Sequence, residues 1–513
     1  MNEVNSRSGT RSSALDADRR TRELEQLSDG RRVDVLVVGG GVTGAGVALD
    51  AAARGLSVVL AEKRDLAFGT SRWSSKLAHG GLRYLASGNV GIARESAVER
   101  GILMTRTAPH LVRALPQLVP VFRSTTLSRK SLVRIGFLAG DLLRASAGTP
   151  STVLPRSRRV GTERVTELVP TVKQQGLRGG LMSFDGQLID DARLVVAIAR
   201  TAALHGAKIL TRTGAYDVTG TSAMLRDELT GSEMLVRART VINAGGVWAD
   251  EIDPAITLRP SRGTHLVLGA ERLGNPTAAL TVQIPGETNR FVFALPAQLG
   301  RVYLGLTDEP APGPVPDVPT ASDAEIEFLL ATVNTALHDP LDRSDVLGTF
   351  AGLRPLLDTG DGSTADLSRN HAILHSVTGL ISVVGGKLTT YRKMAEDAVD
   401  AAVEVAGLNA GPCRTRALPL VGAATPEILQ KVPAPGTLVA RYGTEAALLA
   451  ADRDLLAPIA EGLDVTHAEL RFAVTHEGAL DVDDILDRRT RVGLVAEDRA
   501  RAVDAAESVL NAT

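Results

Sequence analysis

Three glycines and one acidic residue near the start of the sequence have the spacing of a dinucleotide-binding turn. Gly39, Gly41 and Gly44 fit the pattern GxGxxG directly after the apolar run VDVLVV and before a segment with helical spacing of apolar residues. Small residues there let backbone N–H groups approach a pyrophosphate at the head of a helix. Glu62 ends the second apolar run, SVVLAE, where an acidic residue can bond an adenosine ribose. A tight structural turn would also use glycines, but strand, helix and acid together favour dinucleotide binding.

A second strand, double glycine and helix occur late in the chain. The run ISVVGGKLTTYRKMAEDAVDAA places Gly385 and Gly386 between an apolar segment and a helical pattern. This predicts that the chain returns to its first domain, where a helix N-terminus can support the negative charge of a reduced flavin. The arrangement favours FAD over NAD. The alternative is that the two glycines only terminate a strand.

These motifs need a parallel sheet to position them, and the rest of the chain divides around it. Residues 33–62 read as a βαβ unit of about 30 residues. Short alternating runs such as THLVLG and RVYLGLTD are typical of an antiparallel sheet. The predicted division is a mobile tail (1–32), a discontinuous FAD-binding domain (33–255 and 340–408), a substrate or cap domain (256–339) and a C-terminal helical domain (409–513).

Composition limits the compartment and the classes of partner. The 513 residues carry a formal net charge of -2, so no global basic field is available to bind nucleic acid. The single cysteine, Cys413, can form neither an intramolecular disulfide nor a cysteine metal site, which favours a reducing cytoplasm. No metal site is predicted. No apolar stretch reaches the roughly 20 residues of a membrane span, so any membrane contact is expected to be peripheral.

One segment, residues 102–144, is clearly basic. Between positions 102 and 140 it has no Asp or Glu, and it carries Arg106, Arg113, Arg123, Arg129, Lys130 and Arg134. Each such cation near an anionic membrane surface is worth about 1 kcal/mol. The segment is therefore a candidate membrane-facing surface and a place for quinone access. The alternative is a solvated basic face that covers the FAD-binding domain.

Four longer runs resemble those of FAD-dependent glycerol-3-phosphate dehydrogenases. They are GTSRWSSKLAHGGLRYL (69–85), IDDARLV (189–195), GTFAGLRPL (348–356) and GGKLTTYRKMAEDA (385–398). The similarity extends from about Val33 to the DDILDRRTR segment near Arg491. It implies an α/β (α+β overall) protein whose Rossmann-like FAD-binding domain is of the glutathione-reductase and D-amino-acid-oxidase type.

The resemblance also implies two groups of site residues. Those beside FAD are Ser74, Ser75, Lys76, His79, Gly80, Gly81, Gly385, Gly386, Lys387 and Leu388. Those at the substrate are Arg83, Tyr84, His265, Arg354, Lys387 and Thr389. A substrate phosphate is dianionic near neutral pH, and guanidinium and ammonium groups can hold it. Arg83, Arg354 and Lys387 are the natural clamp.

Oxidation of a secondary carbinol requires hydride loss to the flavin and proton loss from the hydroxyl, so a base is needed. His265 is the predicted base, and His79 is a competing candidate. A lone histidine on a strand can also be a satisfied structural residue. Arg354 is expected to bind phosphate or to act electrostatically on the alcohol. His265, Arg354 and Lys387 form the predicted catalytic set.

The activity that the resemblance implies is oxidation of sn-glycerol 3-phosphate to dihydroxyacetone phosphate, with electrons passed from FAD to membrane quinone. Peripheral association with the anionic inner face of the cytoplasmic membrane is expected, and a homodimer is a further hypothesis. The alternatives are a glycerol-3-phosphate oxidase that uses dioxygen, a related FAD-dependent hydroxyl or amine oxidoreductase, and a non-catalytic FAD-binding scaffold. Joint presence of the clamp and His265 argues against the scaffold.

Overall fold

The computed structural model describes residues 12–81, 89–287, 290–358 and 371–512, with the backbone alone for residues 127–130. The strands, in chain order, are β1 (Val33–Val38), β2 (Val58–Ala61), β3 (Leu77–Ala78), β4 (Val112–Phe122), β5 (Arg158–Val160), β6 (Leu177–Leu188), β7 (Lys208–Leu210), β8 (Thr213–Tyr216), β9 (Ser222–Asp227), β10 (Glu233–Asn243), β11 (Ser261–Gly269), β12 (Ala279–Gln283), β13 (Phe291–Pro296), β14 (Arg301–Gly305), β15 (Glu309–Pro310), β16 (Val346–Arg354), β17 (His371–His375) and β18 (Ile381–Gly385). The helices are α1 (Ala17–Ser28), α2 (Val42–Ala53), α3 (Val90–Ile102), α4 (Leu127–Ser146), α5 (Thr162–Leu168), α6 (Asp191–Leu204), α7 (Ala249–Ile252), α8 (Asp323–Asn334), α9 (Tyr391–Ala406), α10 (Pro426–Leu429), α11 (Gly436–Tyr442), α12 (Ala446–Leu449), α13 (His467–Thr475) and α14 (Ala496–Ala512).

The first sheet has the predicted parallel centre. Its strand order is β17-β18-β10-β1-β2-β7, and β9 joins at β10 with β8 beside it. β1 is parallel to both β2 and β10, and β18 is parallel to β10. The middle of β1 is fully buried, as expected for a parallel strand covered on both faces. This sheet, with α2, α6 and α9 packed on it, is called the nucleotide unit below.

The second sheet, called the cap sheet below, is larger than the sequence predicts. Its order is β15-β11-β14-β13-β12-β4-β6-β3, with β16 beside β11 and β5 beside β6. All of these pairs are antiparallel except the short parallel contact of β4 with β12. The cap sheet therefore takes strands from 77–188 and 346–354 as well as from the predicted 256–339. The assignment of the whole of 33–255 to the FAD-binding domain is wrong for this reason.

The strand that sequence analysis missed, β4, has an unusual sequence. It contains Pro116 and Pro120, which lack the N–H group that a ladder requires and normally argue against a central strand. β4 nevertheless pairs with β6 over most of its length. The pairing joins segments about 65 residues apart along the chain, and no local pattern reports such a contact.

Residues 17–28 form a packed helix, so the prediction of a mobile tail over 1–32 is wrong for this part. Asp16 caps α1 by accepting from Arg19 N at 2.7 Å. Leu24 and Leu27 of α1 are buried in the same core as β1 and β10. The Arg20 guanidinium donates to Thr211 O at 2.8 Å and pairs with Asp227. Residues 1–11 lie outside the described part of the chain.

The C-terminal unit (409–512) is helical, as predicted, and ion pairs attach it to the nucleotide unit. Asp65, which follows β2, accepts from Arg488 at 2.6 Å and from Arg489 at 2.8 Å. Arg193 on α6 pairs with Glu477 at 2.8 Å. All of these side chains are buried, so the two units share a buried interface of paired charges. Among the described residues, no helix is both long enough and apolar enough to cross a bilayer.

Candidate functional site

A cavity of about 1030 Å³ lies between the nucleotide unit and the cap sheet. Most of the predicted site residues line it, although they come from distant parts of the sequence. Those in the lining are Gly39, Gly41, Glu62, Ser74, Ser75, His79, Gly80, Gly81, His265, Arg354, Gly385, Gly386, Lys387, Leu388 and Thr389. Two other predicted residues, Arg83 and Tyr84, lie outside the described part of the chain.

The glycine turn between β1 and α2 forms one end of the cavity. A Cβ atom at Gly39, whose φ is +110°, would lie 2.5 Å from Ala244 O, so only glycine is accommodated. A Cβ atom at Gly44 would lie 1.8 Å from Gly39 O. Gly44 therefore does not line the cavity; it lets α2 pack closely against the turn, which is the usual role of the third glycine.

Glu62 is placed beside this turn at the end of β2. Its carboxylate accepts from Gly40 N at 2.6 Å and from Arg64 N at 2.7 Å. Burial raises the pKa of Glu62 above its ordinary value. At the head of α2, Val42 N donates to Ser71 Oγ at 2.9 Å. A tight glycine cradle, a helix head and an adjacent acid fit the pyrophosphate and ribose of a dinucleotide such as FAD.

The serine-rich segment 69–76 crosses the middle of the cavity. The Ser74 hydroxyl donates to Asp191 Oδ2 at 2.7 Å, and the Ser75 hydroxyl lies 2.9 Å from His265 Nε2. Lys76 is placed behind the lining, because its ammonium donates to Arg72 O and Ser74 O and pairs with Asp191 at 3.1 Å. Burial lowers the pKa of Lys76 to about 8. Lys76 therefore does not line the cavity but stabilises the conformation of the segment that does.

His265, on β11, is almost completely enclosed, with 1% of its surface exposed. Its ring stacks on Phe350 at a centroid distance of 4.6 Å, and a Cβ atom at Gly305 would lie 2.2 Å from His265 Cδ2. Burial, with smaller contributions from the positive charges of Lys76 and Arg354, holds the pKa of His265 well below 6.5. The imidazole is therefore neutral at pH 7.

Arg354 ends β16 at the cavity wall. Its guanidinium donates to Ser261 Oγ at 3.1 Å, to Asp308 Oδ1 at 3.0 Å and to Thr307 O at 3.2 Å. These contacts fix the plane of the group, which is the geometry needed for bidentate recognition of an oxyanion. Gly263 makes room for it, since a Cβ atom there would lie 2.3 Å from Arg354 Nη2.

The double glycine after β18 brings a third group of residues to the cavity. Lys387 Nζ donates to Ser96 Oγ at 2.9 Å, and Thr389 Oγ1 accepts from His79 N at 3.1 Å. The predicted contacts of Gly385, Gly386 and Leu388 with a flavin remain predictions, but all three lie in the lining. The segment that follows β18 thus places a cation, Lys387, in the same cavity as the first glycine turn.

His79 has partners that sequence analysis missed. His79 Nδ1 lies 3.3 Å from Asp185 Oδ2, and Asp185 Oδ1 accepts from Arg100 at 2.6 Å. Burial acts to raise the pKa of Asp185, but Arg100 and His79 hold it below its ordinary value. The side chain of His79 is 47% exposed, in contrast to the enclosed His265.

The residues that sequence analysis missed are isolated polar positions on distant elements. They include Ser71, Arg100, Asp185, Asp308 and Phe350. A signal for Ser71 was present, because it belongs to the run GTSRWSSKLAHGGLRYL that carries the family resemblance. The others carry no local pattern, since their partners lie on strands or helices far away in sequence.

Comparisons with known proteins agree with this geometry. The family described as FAD dependent oxidoreductase matches residues 34–392, and the C-terminal domain of alpha-glycerophosphate oxidase matches residues 413–512. Glycerol-3-phosphate dehydrogenase 1 of Mycobacterium tuberculosis is 63% identical over 515 residues, which cover 98% of this chain and 99% of the relative. The chain belongs to the family of FAD-dependent glycerol-3-phosphate dehydrogenases. A second member, glycerol-3-phosphate dehydrogenase of Mycobacterium leprae, is 38% identical over 94% of this chain and 84% of its own length.

Two solved structures share the fold of this chain. The glycerol-3-phosphate dehydrogenase from Bacillus halodurans, solved in complex with FAD, aligns with a TM-score of 0.71 at 26% identity and covers 97% of this chain and 96% of its own. The L-alpha-glycerophosphate oxidase of Mycoplasma pneumoniae, at 18% identity and a TM-score of 0.57, shares the fold over 76% of this chain and 99% of its own. The predictions of FAD and of the fold class are confirmed.

Proposed function

We propose that this protein oxidises glycerol 3-phosphate to dihydroxyacetone phosphate and passes the electrons to quinone at a membrane surface. FAD, when bound, supplies the hydride acceptor. One observation carries the proposal: a neutral imidazole and two cationic side chains, His265, Arg354 and Lys387, line the same cavity as the dinucleotide turn.

The two cations are proposed to hold the substrate phosphate. Arg354 is oriented by Asp308 and Ser261, so its guanidinium loses little conformational freedom when an oxyanion binds. Lys387, which donates to Ser96, adds a second positive charge to the cavity lining. A dianionic phosphate held by both would place the adjacent carbinol within the cavity, beside the serine segment.

The proposed base is His265, reached through Ser75. Only 1% of His265 is exposed, whereas Ser75 lines the cavity and contacts His265 Nε2 at 2.9 Å. The Ser75 hydroxyl can accept the substrate's hydroxyl proton while it donates its own proton to Nε2. His79 is the alternative base, since Asp185 orients it and half of its side chain is open to the cavity.

Helix α4 supports the proposed contact with a membrane and its quinone. Its described part exposes an apolar face whose members, 45–73% exposed, are Leu132, Ile135, Leu138 and Leu142. Residues 132–141 of the same helix contribute to the cavity lining. An exposed apolar face at a cavity mouth fits a surface that lies in the bilayer interface.

The basic residues of the segment differ in how accessible they are to a membrane surface. Arg113 donates to Gln187 Oε1 at 3.0 Å, and Arg134 donates to Ser157 Oγ at 2.9 Å. Arg144, at the end of α4, is buried against Thr149 O. Arg106, Arg113 and Arg123 are nevertheless exposed, so support for peripheral association comes from the apolar face together with these charges.

The deciding experiment is anaerobic addition of glycerol 3-phosphate to the FAD-loaded protein, followed by reoxidation with either a quinone analogue or dioxygen. Rapid bleaching of the flavin with quinone-selective reoxidation is the expected result. Rapid reoxidation by dioxygen with peroxide release would favour the oxidase instead. A fully loaded protein that glycerol 3-phosphate does not bleach would overturn the proposed substrate.

Localisation and assembly are proposed with the same function. We expect co-sedimentation with anionic phospholipid vesicles and recovery with the inner face of the cytoplasmic membrane at low salt. Retention in the soluble fraction together with undiminished quinone turnover would contradict peripheral association. Light scattering on the detergent-free protein tests the proposed homodimer directly.

A further inference from the structure

The C-terminal unit reaches the serine-rich segment through one arginine. Arg491 is completely buried and adopts a left-handed backbone conformation, with φ at +64°. Its Nη2 donates to Arg72 O at 2.7 Å, its Nη1 donates to Asp487 O at 2.7 Å, and its Nε lies 3.2 Å from Asp190 Oδ2. The Arg491 guanidinium therefore connects the C-terminal unit, the N-terminal end of α6 and the serine-rich segment 69–76.

The carbonyl oxygen that receives Arg491 also receives a second cation. Arg72 O accepts from Lys76 Nζ at 2.9 Å, and Lys76 is paired with Asp191. The neighbouring acids Asp190 and Asp191 thus hold one cation each. Arg491 and Lys76 both donate to Arg72 O. The turn between residues 72 and 76 is therefore held by one cation of the C-terminal unit and by one cation of the turn itself.

The fixed turn presents Ser75 to the cavity. Lys76 has a φ of +55°, a conformation that non-glycine residues rarely adopt without support. Ser75, immediately before it, contacts His265 Nε2 at 2.9 Å. Trp73 is confined on the other side, because a Cβ atom at Gly352 would lie 2.7 Å from Trp73 Cβ. A small rotation of this turn would therefore move the Ser75 hydroxyl away from His265.

We propose that Arg491 is a positioning residue for the flavin site, which holds the 72–76 turn so that Ser75 remains on His265. The C-terminal unit then completes the site without lining it. The kinetic part of this inference rests on the proposed function. Its structural part, an altered environment for bound FAD, does not depend on which substrate the protein oxidises.

Arg200 provides a matched control for Arg491. It is also a fully buried arginine that ties the nucleotide unit to the C-terminal unit, through two contacts of 2.7 and 2.8 Å with Glu445. None of its recorded contacts involves residues 69–76. Arg200→Met and Arg491→Met therefore remove similar interface interactions, but only the second loosens the turn.

The experiment compares the FAD-loaded wild type, Arg491→Met and Arg200→Met by thermal unfolding, by visible circular dichroism of the flavin and by stopped-flow reduction with glycerol 3-phosphate. We expect both variants to unfold at lower temperature. Only Arg491→Met should change the flavin dichroism and slow reduction by about tenfold or more, because a misplacement of about 1 Å can lower a rate by up to about 100-fold. Wild-type dichroism and rate in a folded Arg491→Met protein would overturn the proposal.

A double-mutant cycle with Ser75→Ala separates positioning from a general loss of stability. If Arg491 acts through Ser75, the double variant should be no slower than the slower single variant. Effects that multiply would contradict the proposed route. If Arg491→Met does not fold, Asp190→Asn replaces it, since asparagine keeps the capping oxygen of α6 but removes the charge that holds Arg491. A wild type that glycerol 3-phosphate does not reduce would refute the function, while the dichroism comparison would still test the positioning.

Discussion

Gly263→Ala should disable substrate binding while leaving the fold almost unchanged. A Cβ atom at Gly263 would lie 2.3 Å from Arg354 Nη2, well inside van der Waals contact. The obstructing atom is the end of a flexible side chain, so the guanidinium moves and the backbone does not. Its contacts with Asp308 and Ser261 are then lost or distorted.

The magnitude follows from the kind of contact that is lost. A hydrogen bond to a charged group contributes about 1.5–3 kcal/mol, so one displaced guanidinium-phosphate contact lowers kcat/KM about 10- to 150-fold. The assay is stopped-flow reduction of the flavin over a range of glycerol 3-phosphate concentrations. We expect the loss to appear mainly as weaker saturation, because the phosphate is held in the ground state as well as in the transition state.

Gly269→Ala is the matched control, since it lies on the same strand. Its Cβ atom would lie 2.1 Å from Glu271 Oε1, also the end of a flexible side chain, but Glu271 does not line the cavity. This variant should keep wild-type kinetics. Reduction kinetics of Gly263→Ala within twofold of wild type, or a double variant with Arg354→Met that is slower than Arg354→Met alone, would refute the assigned role of Arg354.

Three further results are expected. Burial lowers the pKa of His110 to about 3, so the unfolded chain binds a proton below about pH 6.5 that the folded protein does not. The free energy of unfolding of wild type, measured in urea, should therefore fall relative to that of His110→Phe as the pH falls from 7 to 4.5. A difference between the two proteins that does not change with pH would contradict this. Leu142→Glu, on the apolar face of α4, should weaken binding to anionic vesicles and slow quinone reoxidation without slowing reduction by substrate. Leu448→Glu, at another exposed leucine, on the C-terminal unit, should do neither. Asp65→Asn leaves two buried arginines without their shared carboxylate and should lower the free energy of unfolding by about 3–5 kcal/mol; a loss below 1 kcal/mol in denaturant titration would show that water or Asp484 compensates.

The parts of the site that could be predicted from sequence are those formed by neighbours along the chain. Gly39, Gly41 and Glu62 lie within one βαβ unit, so their spacing alone reports the turn that they build. His265 and Arg354 were predicted only through the resemblance, because a single histidine or arginine on a strand has no local sequence pattern that marks it as functional. Both lie in the cavity lining, as expected.

What could not be predicted depends on contacts between distant segments. The orientation of Lys76, away from the cavity and toward Asp191, is set by a helix more than a hundred residues later. The position of α1 depends on Arg20, which pairs with Asp227 on β9 and donates to the Thr211 carbonyl after β7. Arg-rich, acidic sequence at a chain start suggests a solvated tail, and only the buried partners reverse that expectation.

The composition of the two sheets has a consequence for synthesis of the protein. The cap sheet needs strands between residues 77 and 354, and the nucleotide unit needs β18, which ends at Gly385. The cap sheet cannot be completed until about 70% of the chain has been synthesised, and the sheet of the nucleotide unit not until about 75%. Until then β10 lacks its neighbour β18 and β11 lacks its neighbour β16, and such non-local pairing folds slowly and exposes strand edges to aggregation. Production of this enzyme should therefore depend on translation rate and chaperone supply more than on the stability of the finished fold.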